Sequence, residues 1–589
     1  MPKPKRIAVV DNEEIKDRQE SLFIQSLCPI NRSGVDCIGV APEDKTLTID
    51  ENTCIGCGIC VKANPKAIQI VNLPAALDED PIHRYGTNLF ALYRLPIPKQ
   101  GAVVGLVGPN GIGKSTVLNI LSGNLKPNRG KKQVEWQEVI EQFKGTELQA
   151  YLENIKNIKV GYKSQNIDAL QKMFSGKVSE LLKKVDKENR FDSVVKNLQL
   201  ERLLEKNMKE LSGGELQLIA IAATIIKGGN FYFFDEPTSY LDVEQRFLVA
   251  KEIRRLAEGG YENSKQKPYT MTIDHDLAVA DYLADQVHIL YGSPGVFGIV
   301  SPPQGVRVGI NTYLDGYIKE DNVRFRDKPI VFSRVAKSPE KKKPLYDFDE
   351  FEKTFSTFKL KVSSGSLNQG EIIGILGSNG IGKTTFVNML AGEIKPDKGK
   401  QLKLKLSYKP QRLVFSAEEG EMIVRDYIGN TTETQNMIHM LKVDRLSDRK
   451  VKTLSGGELQ AVFISAALSR DHDILLLDEP SAFLDVEQRL ILARVLDDWT
   501  KTRGTAGFVV DHDLQVIDSV SNRLMVFDGR PAIEGVGNPP ENLKDGMNRF
   551  LKRVGITFRR DPQTGRPRAN KQDSVLDREQ KEKGQYYYI

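Results

Sequence analysis

No stretch of this chain approaches the roughly 18 uncharged apolar residues needed to cross a bilayer, which speaks against a membrane-spanning protein. A secretory leader is missing as well. The start MPKPKRIAVVDNEE is basic but then meets Asp11, Glu13 and Glu14 where an apolar run would have to continue. A cytoplasmic protein with no membrane partner is expected. Charge of one sign is also scarce: 84 Lys and Arg face 78 Asp and Glu, and the net of +6 is too mild to announce a nucleic-acid binder. The basic runs Lys341-Lys342-Lys343 and FRRDPQTGRPRANK read on composition alone as solvated loops. Cysteine disappears after residue 60. All five cysteines lie before residue 61, which is not how core cysteines scatter, and in a cytoplasmic chain such clustering favours a metal site over disulfides.

What is present is repetition. The 589 residues are enough for three or four units, with an ordinary globular 40% hydrophobic and 28% charged content. GLVGPNGIGKST at 105–116 returns as GILGSNGIGKTT at 374–385, and LSGGELQ stands at 211–217 and 454–460. FFDEPTSYLDVEQR is answered by LLDEPSAFLDVEQR, and TIDHDL by VVDHDL, in the same order. Two homologous α/β units therefore lie in tandem. The step from Ser212 to Asp235 and from Ser455 to Asp478 is 23 residues in both, but Lys114 to Ser212 spans 98 and Lys383 to Ser455 only 72. The 26-residue surplus contains QVEWQEVIEQFKGTELQAYLENI, whose helical spacing broken at Lys-Gly predicts a helix-loop-helix, either a decoration or a docking element. The expected division is 1–75 cysteine-rich head, 76–300 first unit with its insertion at about 131–157, 301–330 hinge, 331–535 second unit, and 536–589 hinge and tail.

The repeated motifs carry phosphate chemistry. GPNGIGKS follows the apolar strand VVGLV and precedes a helix-like run. Asn110, Gly111 and Gly113 open a loop whose N–H groups turn toward phosphates, Lys114 reaches the β/γ-phosphates, and Ser115 offers a hydroxyl to Mg²⁺ beside Thr116. Asn379, Gly380, Gly382, Lys383, Thr384 and Thr385 repeat the set. FYFFDEP and ILLLDEP end buried-strand runs in paired acids. They assign Asp235 and Asp478 to Mg²⁺, and Glu236 and Glu479 to the attacking water. Tyr85 and Phe90, just before the first loop's strand, are candidates to stack on adenine, although core packing explains Phe90 nearly as well.

LSGGELQ resembles the signature of the ATP-binding cassette (ABC) superfamily in both halves. Its serine and glycines expose a helix N-terminus suited to capping a γ-phosphate. The resemblance implies two tandem P-loop nucleotide-binding domains and two composite ATP sites. One joins Lys114, Ser115, Asp235, Glu236 and His275 to Ser455 and Gly457, and the other joins Lys383, Thr384, Asp478, Glu479 and His512 to Ser212 and Gly214. It also implies Gln411 and Gln165 as Q-loop residues, His275 and His512 as switch histidines, and Asp242 and Asp485 in loops crossing the cassette interface.

In two-cluster bacterial ferredoxins each C-x2-C-x2-C run gives three ligands to one cluster and a more distant Cys serves the other. Here Cys54, Cys57 and Cys60, with Cys28 upstream, make one full 4Fe-4S ligand set, while position 64, where a second cluster needs Cys, holds Asn64. Cys37 is a spare or an alternative fourth ligand, and zinc or no metal is the alternative to the cluster. From the head through IVNLP, HRYGTNLFALYRLPIP, both cassettes, GINTYLDGY and GMNRFLKRVGITFRRDPQTGRPRANK, the chain resembles the iron-sulfur ABC proteins of archaea and eukaryotes, the ribosome-recycling ATPases also called RNase L inhibitors. The resemblance implies an N-terminal ferredoxin-like α+β domain and ATP-driven splitting of ribosomes after termination. It further implies contact mainly with the small subunit and its rRNA, a translation termination or release factor as partner, and a monomer whose two cassettes pair internally. The one-cluster head departs from that family's two. The motor subunit of an ABC transporter and a redox enzyme are the alternatives.

Overall fold

The computed structural model describes residues 6–74, 79–131, 134–261, 267–330, 332, 343–400, 404–429 and 435–587. Lys341 and Lys342 of the first basic run lie outside the described residues, as do residues 132 and 133 of the insertion.

Runs such as VVGLV, FYFF and ILLL are apolar at every position, so strands made from them must be covered on both faces. The structure places each at the centre of a nine-stranded sheet. In the first half Val160–Lys163, Phe231–Asp235, Tyr269–Ile273, Val103–Val107 and Gln286–Ser293 lie parallel in that spatial order. Phe297–Val300 extends the sheet antiparallel to Gln286–Ser293, Ala91–Tyr93 lies parallel to Phe297–Val300, and His83–Arg84 closes the edge antiparallel to Ala91–Tyr93. The second half repeats this with Leu406–Lys409, Ile474–Asp478, Ala506–Val510, Ile372–Leu376 and Arg523–Arg530.

Register then fixes where the chemistry sits. Asp235 pairs with Ile273, and Ile273 with Leu106, so the acidic pair, the DHD triplet and the phosphate loop leave the sheet at one edge, where α/β sheets bind ligands. Asp478, Val510 and Ile375 are aligned in the same way.

The insertion forms helices Trp136–Glu141 and Glu147–Glu153, parted at Gly145 with φ 80°. Val139, Ile140, Leu148, Tyr151 and Leu152 are buried, and Ile140, Leu148, Tyr151 and Leu152 join the cassette's own core. The head pairs Arg6–Val10 with Ile68–Asn72 and Ile38–Val40 with Leu47–Ile49, both antiparallel, around a small core that includes four of the five cysteines. After the second sheet come helix Leu543–Val554, the hairpin Phe558–Arg560/Pro567–Ala569, and helix Val575–Glu582. That hairpin docks on the first half: Arg566 and Asp281, both fully buried, form an ion pair. Arg568 donates to Asp281 as well, and Arg307 meets Asp561 at 3.1 Å.

Candidate active site

Each phosphate loop needs left-handed backbone. Gly113 has φ 100° and Gly382 φ 98°, and a Cβ there would fall 2.7 Å from the Phe90 ring and 2.8 Å from Leu360. Phe90 thus lies against the loop's backbone and packs with the cassette core. Tyr85 is half exposed, with its hydroxyl 3.2 Å from Thr116 Oγ1. Helices Lys114–Leu121 and Lys383–Ala391 start at the loop lysines, so their N-termini face the same space.

The lysines are held differently. Lys114 Nζ donates to Gly108 O at 3.1 Å and lies 3.3 Å from His275 Nε2, whereas Lys383 Nζ donates to Gly377 O and Ser378 O at 2.9 and 2.8 Å. Burial pushes Lys383 down to about 8.

Around the acidic pairs the halves agree closely. Gln165 Nε2 donates to Glu236 Oε1 at 2.8 Å and Gln411 Nε2 to Glu479 Oε1 at 2.7 Å, which puts the two glutamines at matching places. His275 Nε2 lies 3.6 Å from Glu236 and His512 Nε2 3.5 Å from Glu479. Burial first, then Lys114 and the second half's Arg489, holds His275 well below the ordinary histidine range, so it is neutral. Burial also raises Glu479, but His512, Lys383 and Lys409 outweigh it and bring the carboxyl down to about 2. Asp478 goes the other way, up to about 6, chiefly through burial. Both its carboxylate oxygens are buried without a hydrogen-bond partner among the described residues, and Thr384 is its polar neighbour. A buried orphan carboxylate beside a hydroxyl is the donor set a hard cation takes, so these residues fit Mg²⁺.

Ser212 and Ser455 cap helices Gly213–Lys227 and Gly456–Ser469. Each donates from its hydroxyl to the Glu three residues on, and the first glycine after each serine, Gly213 or Gly456, is exposed. One cleft runs between the halves, lined by Asn110, Gln165 and Ser212 from the first and Lys383, Ser455 and Glu479 from the second. Across it Asn379 N donates to Asp242 Oδ2 at 2.8 Å, a Cβ on Gly214 would lie 3.6 Å from Asn379 Nδ2, and Arg246 Nη1 donates to His512 O at 3.0 Å. The Asp242 loop of one half thus touches the phosphate loop of the other.

Sequence reasoning missed Arg246 and Arg489, which bind Asp276 and Asp513 at 2.8 and 2.7 Å, and Gln217 and Gln460, which donate to the carbonyls of Glu236 and Glu479 at 2.8 Å. Both signals were present, since LDVEQR and LSGGELQ end on these residues in each half.

In the head the five cysteines line one small apolar hollow, with Cys57 exposed and the others buried. Burial, with neighbouring thiols adding, raises Cys37 to about 12 and Cys60 to about 11. Thiols so placed lose their protons only to a strong cationic centre. Among the described residues no three Cys, His, Asp or Glu side chains form a ready metal-ligand group. The hollow therefore brings the right donors together without fixing a geometry, and Cys37 reaches it as Cys28 does. A second cluster does not fit. Asn64 Nδ2 donates to Glu14 O and Glu20 Oε1, its Oδ1 accepts from Lys66 N and Ala67 N, and Ile15 and Ile24 fill the neighbouring core.

Among the described residues no helix is long and apolar enough to cross a membrane. The ABC transporter family matches residues 98–239 and 360–482. An uncharacterized ABC transporter ATP-binding protein of Methanocaldococcus jannaschii is 49% identical, the match covering 99% of this chain and 98% of that protein. The translation initiation factor RLI1 of Saccharomyces cerevisiae is 41% identical over 100% and 99%. Among solved structures, a chain described as part of ribosome-bound archaeal Pelota and ABCE1 superposes with a TM-score of 0.91 at 48% identity, covering 100% of both. An archaeal ribosome recycling factor in complex with a ribosomal stalk protein gives 0.81 at 50% identity, over 87% of this chain and 100% of that one. With two cassettes, a cysteine-rich head and relatives 41–49% identical over 99–100% of its length, this chain belongs to the RNase L inhibitor family, the E branch of the ABC ATPases.

Proposed function

We propose that this ATPase splits ribosomes into subunits after termination, in the cytoplasm and as a monomer, by closing its cassettes around two ATP molecules. The observation that carries this reading is the full-length likeness to the ribosome-bound archaeal chain. The small subunit with its rRNA, and a termination or release factor, are its partners. Lys114 and Lys383 bind the β/γ-phosphates. Ser115 with Asp235, and Thr384 with Asp478, hold Mg²⁺, which supplies charge neutralisation at the γ-phosphate. Glu236 and Glu479 orient the attacking water, the neutral His275 and its counterpart His512 sense the γ-phosphate, and Ser455 and Ser212 cap it from the opposite half. The tie from Asp242 to Asn379 supports this pairing of sites. In the head Cys28, Cys54, Cys57 and Cys60 hold one 4Fe-4S cluster.

The test is cosedimentation with archaeal ribosomal subunits. Full-length protein with a non-hydrolysable ATP analogue should travel with small subunits and leave them when the analogue is withdrawn. Sedimentation that ignores nucleotide, or that follows membranes, refutes the reading.

A further inference from the structure

Glu236 and Glu479 have φ 46° and 48°, the left-handed region that a residue with a Cβ keeps only when its surroundings hold it there. The holding groups are the same in both halves. Lys163, 2% exposed, donates from Nζ to Asp235 O at 2.8 Å and Glu236 O at 3.1 Å. Lys409, 1% exposed, donates to Asp478 O at 2.8 Å and Glu479 O at 3.2 Å. Two residues further on, Gln165 and Gln411 hold the carboxylates of the same glutamates. The repeated Lys-x-Gln thus grips each glutamate by backbone and by side chain, from the end of one strand.

A satisfied core lysine is the plain alternative, but methionine fills that volume without the cost of burying an ammonium. Each ammonium sets a positive charge behind the carbonyls of the metal and water residues.

We propose that Lys163 and Lys409 are positioning residues for ATP hydrolysis, holding the backbone of Glu236 and Glu479 so that their carboxylates face the water that attacks the γ-phosphate. The proposal rests on the water-orienting role given to those glutamates.

The experiment measures kcat, KM and nucleotide affinity of the full-length protein carrying Lys163→Met and Lys409→Met together. Expected is a kcat at least ~10-fold lower, with KM and affinity within about twofold. In a Glu236→Gln/Glu479→Gln background the same changes should lower the residual rate by less than about twofold, because the group they position is already gone. Lys163→Arg with Lys409→Arg, which keeps charge and donors, should hold kcat within about threefold of wild type. Wild-type kcat in the methionine variant, a raised KM with unchanged kcat, additive losses in the glutamine background, or arginine variants that fold but do not hydrolyse would each overturn the proposal. Failure of the underlying assignment looks different: there the glutamine variants alone turn over ATP normally.

Discussion

Glu236 and Glu479 each collect a glutamine, a histidine and a buried lysine, so losing the carboxylate charge should remove catalysis without disturbing nucleotide binding. Glu236→Gln with Glu479→Gln is expected to lower kcat by at least ~100-fold while ATP affinity stays within about threefold, measured by phosphate release and nucleotide titration. A second residue-scale expectation concerns His288. Burial drives it down to about 4, and its neutral ring bonds on both sides, Nδ1 with Ser301 O at 2.8 Å and Nε2 with the N–H of Ile97 at 3.2 Å. Its folded pKa lies below the unfolded value of about 6.5, so the unfolded state binds the proton more readily, and stability present above pH 6.5 is lost as pH falls toward 4. The loss approaches about 3 kcal/mol. His288→Gln, which can still donate and accept, should lose less melting temperature between pH 7 and pH 5 than wild type, and parallel curves would refute this. Motif residues such as Lys114, Asp478 and His512 were legible because their chemistry demands a fixed residue type at a fixed spacing. Lys163 was not, since a single basic residue at a strand end looks like solvated surface until burial is known.

The strands and signature helices were equally legible from the all-apolar runs and the Ser-to-Glu caps. The head was less so, because the sequence gives ligand count but not how the donors converge. The structure leaves Cys28 and Cys37 at the same hollow, and chemistry must choose between them. Protein purified without oxygen should contain about four irons per chain, and Cys28→Ser should lose them while Cys37→Ser retains them. Eight irons, zinc, or loss confined to Cys37→Ser would each refute the ligand set. ATP affinity should be the same in all three proteins, because no cysteine lines the cleft between the cassettes.

At the scale of the whole molecule the halves are tied twice, by the contacts across the cleft and by the tail. Asp281 and Asp518 occupy the same place in helices Leu277–Leu283 and Leu514–Val520, which follow the two DHD triplets. One hairpin serves both: Arg566 and Arg568 hold Asp281, and Arg560 holds Asp518 at 2.9 Å. Asp281→Ala strands Arg566 as an uncompensated buried charge and should destabilise the nucleotide-free protein by about 3–5 kcal/mol, read from denaturant unfolding. A cost near zero would mean that the hairpin leaves the first half freely.

The same grip sets an order in time. Synthesis runs from the N-terminus, and domains ordinarily fold as they emerge. Here the partners of Asp281 lie 285 and 287 residues later in the chain. The first cassette therefore waits without these partners of Asp281 until Arg566 and Arg568 have been made, and a nascent chain cut short before Arg566 carries a first half whose Asp281 has yet to meet them.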